Sequence, residues 1–329
     1  MIVRDLRIPA LIAVLGLCAA ATFAQTYPAK MITMVVPWPA GGATDVTGRL
    51  IANELRISLG QNVIVENTAG AGGSIGTVKA LNAPADGHTL LVSSQQDVVL
   101  APLTYKSATF KAEDAKTVAM LGHTSVMIVV RKDLAANTLA EFVALMKSQT
   151  ATAKPLSYCT PGTGTIYPLI VERMNALVQT KNLQVPYPGF GQCLSDVAGG
   201  VVDFSVVPIA GPFPGFVDKG SVRALAVLSD TPNPRLPNVP LAATTRGFEG
   251  LNFSLWSAVH VNSKVPDAIV DQLNKAVIAA LAKPEVRKTI ESSGSTVFEP
   301  MTAQQAHAYY LRDVKLLEAL SKSVGITQQ

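Results

Sequence analysis

The chain has 329 residues, 48% of them hydrophobic and 15% charged, and a formal net charge of +4. That length and apolar content allow a large core and two domains. Charges of both signs are mixed along the chain without an acidic or basic block, which excludes the electrostatic footprint of a nucleic-acid binder.

Residues 1–24 read as a signal peptide. Arg4 and Arg7 form a positive n-region, Ile8 to Ala21 an apolar h-region, and Thr22-Phe23-Ala24 carries the small residues that signal peptidase reads. The apolar run is about 14 residues, short of the roughly 20 that a spanning helix needs, and Pro9 interrupts it. A lipoprotein site at Cys18 is disfavoured because Leu17 precedes it where a small residue is required. The expectation is an exported, soluble, periplasmic protein. Cys159 and Cys193 remain in the exported part. An oxidising compartment permits a disulfide there, and two buried thiols are the alternative.

Met31 to Val36 is an apolar run that predicts a first strand. The turn Pro37-Trp38-Pro39-Ala40-Gly41-Gly42 follows, then apolar residues at Val46, Leu50, Ile51, Leu55 and Leu59, which is helical spacing. A strand, a glycine-rich turn and a helix present free backbone N–H groups at the helix N-terminus, a site suited to an anion. A second strand at 63–65 runs into Gly70-Ala71-Gly72-Gly73-Ser74-Ile75-Gly76, with a helix predicted over 77–83. A third strand is predicted at 89–93. This alternation argues an α/β fold with a parallel sheet. Two glycine turns at the ends of neighbouring strands fall on the sheet edge where open α/β sheets bind ligands.

The second half repeats the pattern. A strand lies within 118–130 and a helix at 139–149. Leu156 to Cys159 leads into Thr160-Pro161-Gly162-Thr163-Gly164-Thr165 and a helix over 166–177. A strand at 183–187 meets the turn Pro188 to Cys193 and a short helix over 194–198. Strands follow at 201–207, ending on Pro208, and at 222–228. The proline-rich stretch 231–240 reads as a crossover. A strand over 253–261 contains Trp256, and helices are predicted at 267–281, 286–292 and 302–324. Two α/β lobes with polar turns describe a cleft between domains.

Catalytic signals are thin. His88, His123, His260 and His307 are scattered without metal spacing, and no P-loop occurs. Ser74 in Gly72-Gly73-Ser74-Ile75-Gly76 follows glycines with the spacing of a nucleophile elbow, but no motif partner identifies a base. The second glycine turn nearly matches a dinucleotide fingerprint, but Leu91-Val92-Ser93-Ser94 supplies no acid to hold a ribose. Asp45 reads as a favourable charge at a helix N-terminus. No catalytic residue, metal or cofactor is expected, and an exported enzyme acting on a small carboxylic acid in the same cleft is the alternative.

The combination Val35-Val36-Pro37-Trp38-Pro39-Ala40-Gly41-Gly42-x-x-Asp45, Gly60-Gln61-x-Val63-x-Val65-Glu66-Asn67, Gly70-Ala71-Gly72-Gly73-x-x-Gly76 and Asp86-Gly87-x-Thr89-Leu90-Leu91 closely resembles the Bug family. These are extracytoplasmic solute receptors of tripartite tricarboxylate transporters. The resemblance continues through Val185-Pro186-Tyr187, Gly199-Gly200-x-Val202-Asp203, Leu236-Pro237-x-Val239-Pro240, Trp256 and Pro284-Glu285-Val286. It implies a two-lobed flytrap that is no enzyme. Residues 25–123 with 229–329 would form lobe 1, and 124–228 lobe 2. It implies that Trp38, Ala40, Gly41 and Gly42, with Gly70, Ala71, Gly72, Gly73 and Ser93, hold a ligand carboxylate in lobe 1. In lobe 2 it points to Thr160, Thr163 and Thr165.

The chain departs from the family pattern in lobe 2. Tyr167 and Pro168 stand where histidines are usual, Phe190 replaces a small residue, and Val207-Pro208 occupies the neighbourhood of an acid. Tyr167, Phe190, Val207 and Pro208 would suit an apolar or aromatic mono- or dicarboxylate and disfavour a ligand ammonium. Cys159 and Cys193 follow strands of lobe 2 in neighbouring turns, which predicts a disulfide. The partners implied are a small carboxylate and membrane transporter subunits, with the receptor a monomer and no nucleic acid involved.

Overall fold

The computed structural model describes residues 27–162, 164–323 and 328. The signal-peptide expectation and Thr163 lie outside the described residues. Among these residues no helix is long and apolar enough to cross a membrane.

The first half builds a sheet around β1 (Ile32–Val36). β2 (Val63–Asn67) and β3 (Thr89–Ser94) flank it in parallel, with Met34 opposite Val65 on one side and Leu90 on the other. Successive side chains alternate across the sheet. Ile32, Met34 and Val36 therefore pack with Ile51 and Leu55 of α1 (Ala43–Leu59), while Val35 joins the core on the other face. α1 stops at Gly60, whose φ of 65° provides a left-handed cap. α2 (Ser74–Leu81) follows the second glycine turn and begins earlier than the sequence predicts. After β3 the chain turns helical through Gln96–Leu100 and α3 (Ala101–Thr104), a segment the sequence reading missed.

The strand β4 (Ala115–Arg131) is 17 residues long and joins the two halves. Its residues up to Ser125 pair with β9 (Ser254–Asn262), and from Val126 onward they pair with β7 (Phe204–Pro208) and β8 (Val222–Val227). In the second half, β5 (Ser157–Thr160) pairs in parallel with β6 (Leu183–Pro186) and β7. The order is β2-β1-β3-β9-β4-β7-β5-β6. The sheet is mixed and not parallel throughout, because β9 runs antiparallel to both β3 and β4. The sequence reading could not see this, since those partners are set by a return of the chain from far away.

Helices α4 (Leu139–Ala151), α5 (Ile166–Val178), α6 (Phe190–Ala198) and the short α7 (Phe213–Asp218) cover the second half. α8 (Asp267–Leu281), α9 (Pro284–Ser292), the two-residue β10 (Thr296–Val297) and α10 (Ala303–Ser323) return to the first. Leu236, Val239 and Leu241 of the connecting stretch pack against the second-half core of Met127, Val129 and Val207. Cys193 lies on α6, which starts at Phe190, and not in the preceding turn. It forms a disulfide with Cys159 at the end of β5, with the Cα atoms 5.6 Å apart.

Candidate functional site

Where the two halves meet, they enclose a cavity of about 410 Å³, within the usual range for small-molecule sites. Four strands bring residues to it. Ser94, Gln95 and Gln96 come from the end of β3, Gly122 and Thr124 from β4, Leu255, Trp256 and Ser257 from β9, and Pro208 from β7. Ala210, and Ser293 and Ser295 around the α9–β10 turn, complete that side.

Two helix N-termini also reach the cavity, one from each half. Ala43, Thr44 and Thr47 of α1 line it, as do Ile166 and Tyr167 of α5. The first turn of a helix has N–H groups without intrahelical acceptors. Gly42, the cap of α1, has no side chain to take one. Thr165, the cap of α5, turns its hydroxyl back onto Gly162 O at 3.0 Å. Neither end is capped by a side chain, so both keep donors and a positive dipole end available. Among the described residues no Asp, Glu, Lys, Arg or His lines the cavity. The arrangement can hold an anion through backbone groups while apolar surface from Trp38, Ile166, Tyr167, Pro208, Leu255 and Trp256 surrounds its body.

The first turn is braced from below. Asp45 is buried and accepts from Gly41 N at 2.8 Å, Arg49 Nε at 3.0 Å and Asn67 Nδ2 at 2.9 Å. Burial opposes its ionisation, yet these bonds outweigh that and hold its carboxyl below the ordinary aspartate range. Asn67 also donates to Trp38 O at 3.0 Å, so the end of β2 is tied to the turn after β1. The sequence reading gave Asp45 only a dipole role. Its larger task is to fasten two turns together.

The last residue of β3 and the three after it form a second brace. Asp97 is fully buried, and its Oδ1 accepts from Ser94 N at 3.0 Å, Ser94 Oγ at 2.5 Å and Trp38 Nε1 at 3.2 Å. Its Oδ2 has no partner among the described residues. Burial raises its pKa to about 7 despite those donors. Gln95 donates to Ser254 O at 2.9 Å and accepts from Trp256 N at 2.7 Å, extending the β3–β9 pairing past the end of the strand. Gln96 Nε2 reaches Gly164 O at 2.7 Å, across the cavity into the second half. Trp256 is fixed at its other end by Asp313 Oδ2, which accepts from its Nε1 at 2.7 Å.

Of the ligand residues expected from sequence, Trp38, Thr165, Tyr167 and Pro208 line the cavity. Gly41 lines an adjoining recess of about 150 Å³ with Ala43, Thr47 and Ser293. Ala40 and Gly42 are exposed in the same turn. Gly70, Ala71, Gly72 and Gly73 are not on the cavity wall. Gly72 and Gly73 have positive φ, and a Cβ on them would come within 2.4 Å of Tyr105 and of the Asp97 Cβ, so their bare backbone lets these side chains close in. Ser93 is buried, and its hydroxyl has no partner among the described residues. Thr160 is buried and bonded to Gly162 O and Gln184. Val207 faces the core around the disulfide. Phe190 stands behind Tyr167, edge-on at 4.7 Å, and Phe213 stands behind Phe190 at 5.1 Å.

The sequence reading missed Gln95, Gln96, Thr124, Leu255, Ser257, Ser293 and Ser295 as site residues, and took Trp256 only as part of a strand and of the family resemblance. The histidines are elsewhere: His260 is buried against Thr117 Oγ1, and burial with His307 nearby lowers its pKa to about 3. Among the described residues no cluster could hold a metal ion.

An α/β sheet divided by one long strand, with an uncharged cavity between its halves, defines a solute-binding protein of the periplasmic class. The model of the tripartite tricarboxylate transporter receptor family, TctC, matches residues 47–326, and the chain belongs to that family. It is similar to the periplasmic binding protein BugD at 27% identity and a TM-score of 0.70, over 92% of this chain and all of that one. It is similar to MatC of Rhodopseudomonas palustris, solved with bound malate, at 27% identity and 0.70, over 89% of this chain and 99% of that one. A second R. palustris protein, solved with adipate, matches at 25% identity and 0.73, over 92% of this chain and all of that one. The family and these neighbours are receptors and not enzymes.

Proposed function

We propose that this receptor binds a small carboxylate with an apolar body, an aliphatic or aromatic mono- or dicarboxylate, in the cavity between the two halves. One observation carries the reading: two helix N-termini without side-chain caps face an otherwise uncharged, largely apolar chamber. A carboxylate at either end gains charge-assisted bonds, and the dipole contributes about 0.3–2 kcal/mol. A ligand ammonium would be buried with no acid to pair it. The malate and adipate in the neighbours support carboxylate binding, and adipate has the apolar body that this cavity suits.

The division expected from sequence, lobe 1 as 25–123 with 229–329 and lobe 2 as 124–228, describes the chamber's two walls except at the return crossing. The pairing switch between Ser125 and Val126 supports the first crossing. The packing of Leu236, Val239 and Leu241 on the second core moves the return crossing towards Ser254. Export by a signal peptide to the periplasm, a monomeric state and delivery to membrane transporter subunits complete the reading.

A thermal-shift panel tests it. Hexanoate, adipate, benzoate and terephthalate should raise the melting temperature. A ligand at a hundred times its Kd adds about 2.7 kcal/mol to the native state. Stronger shifts with aspartate or glutamate would refute the ligand class.

A further inference from the structure

Three hydroxyls meet where β4 leaves the first half. Thr124 Oγ1 lies 2.8 Å from Ser295 Oγ, and Ser293 Oγ lies 3.5 Å from Ser295 Oγ. All three side chains line the ligand cavity. Gly294 makes the cluster possible. Its φ is +91°, and a Cβ there would stand 2.7 Å from Ile209 O and from the Ala210 Cα. Without that Cβ the turn lies flat on the end of β7, with Ser293 and Ser295 held at the cavity.

Counting protons shows what the cluster offers. Ser293 donates to Ile290 O at 2.6 Å, much closer than its contact with Ser295. One proton is used between Thr124 and Ser295, whichever of them donates. Three hydroxyls carry three protons, so one remains. It sits on Thr124 if Ser295 donates, and on Ser295 if Thr124 donates. Neither hydroxyl has another acceptor among the described residues. In a chamber closed over a ligand, an unpaired hydroxyl proton costs about 1–3 kcal/mol.

Resting on the carboxylate reading above, we propose that the Thr124–Ser295 pair is a specificity-determining subsite that donates one hydrogen bond to a ligand oxygen other than the carboxylate held at a helix N-terminus. The subsite selects acids that carry a second acceptor, such as a phenol, alcohol, ketone or second carboxylate. A purely hydrocarbon tail leaves the donor unpaired. Ser293 is the scaffold of the pair, since its own proton is already given to Ile290 O.

Titration calorimetry with paired probes tests this: hexanoate against adipate, and benzoate against 4-hydroxybenzoate. The wild type should bind adipate and 4-hydroxybenzoate more tightly than their partners. Thr124→Val or Ser295→Ala alone leaves one hydroxyl proton free and should keep the preference, whereas the double variant should weaken those two about tenfold while hexanoate and benzoate change less than twofold. Ser292→Ala, an exposed change off the cavity wall, should leave the discrimination within twofold. Unliganded melting temperatures of the variants show that the fold persists. Equal weakening of both members of each pair, or no weakening in the double variant, overturns the subsite while leaving the carboxylate reading intact. A wild type that binds none of the four acids overturns both.

Discussion

Replacing Asp97 by Asn should make the pH dependence of stability visible as the work of one buried carboxyl. Asp97 titrates near 7 in the fold, against an ordinary value of 3.8, because burial disfavours its charge. Its folded state keeps the proton to higher pH than the unfolded chain does. The stability it contributes is therefore complete below about pH 4 and is lost as pH rises towards 7. About three units at about 1.4 kcal/mol each give a loss of about 4 kcal/mol. Asn has the shape of the protonated acid. It keeps the oxygen that accepts from Ser94 and Trp38, and it places a donor where the unpartnered Oδ2 stands. Wild type and Asp97→Asn should thus be closest at pH 4.5, where about 1 kcal/mol of that loss has already occurred. By pH 8 the variant should be the more stable, by up to about 4 kcal/mol on that same linkage. Urea unfolding at pH 4.5, 6, 7 and 8, followed by two probes to check for a single transition, reads the difference. Other titrating groups are shared and cancel. A gap that stays constant with pH would refute the reasoning.

Three further outcomes are expected. Removing the disulfide with Cys159→Ala and Cys193→Ala opens a loop with a sequence separation of 34, and should cost roughly 3–4 kcal/mol in denaturant unfolding. Unchanged stability would mean that the bridge does not form. Gln96→Ala removes the bond to Gly164 that spans the cavity. It should weaken adipate binding about three- to tenfold, since such a bond is worth about 0.5–1.5 kcal/mol, with little change in the unliganded melting temperature. Unaltered affinity would show that the bond is not part of the liganded state. Gly42→Ala and Gly73→Ala should separate folding from binding. A Cβ at Gly42 meets only Pro39 O at 3.6 Å, whereas one at Gly73 collides with Asp97. Melting temperature should drop for Gly73→Ala alone, and equal losses in both would contradict the packing described.

The sequence by itself determined what is local. The run Met34 to Val36, the bare turn and the 3.6-residue spacing of α1 specify a strand and an uncapped helix end without reference to the rest of the chain. The same grammar gave α5 after its Gly/Thr turn, but that Thr165 leaves the helix end uncapped follows only from its hydroxyl turning to Gly162 O. Tyr167 and Phe190 were legible as aromatic but not as to which meets the cavity. Tyr167 reaches it only because Phe190 and Phe213 stack behind, and that order depends on how α5, α6 and α7 approach each other.

The second glycine turn shows the limit from the other side. Its glycines read as room for a ligand, and in the fold that room is filled by Tyr105 and Asp97. A missing side chain signals a close approach but does not say of what. The remaining site residues come together through tertiary structure alone. Thr124 and Ser295 are 171 positions apart, and Gln95 and Trp256 are 161 apart. The first meeting depends on β10 pairing with β4 and the second on β9 inserting between β3 and β4, non-local pairings with no signature in either segment. The bare end of α1 was therefore written locally, while the polar groups proposed to choose among acids were set by the sheet order.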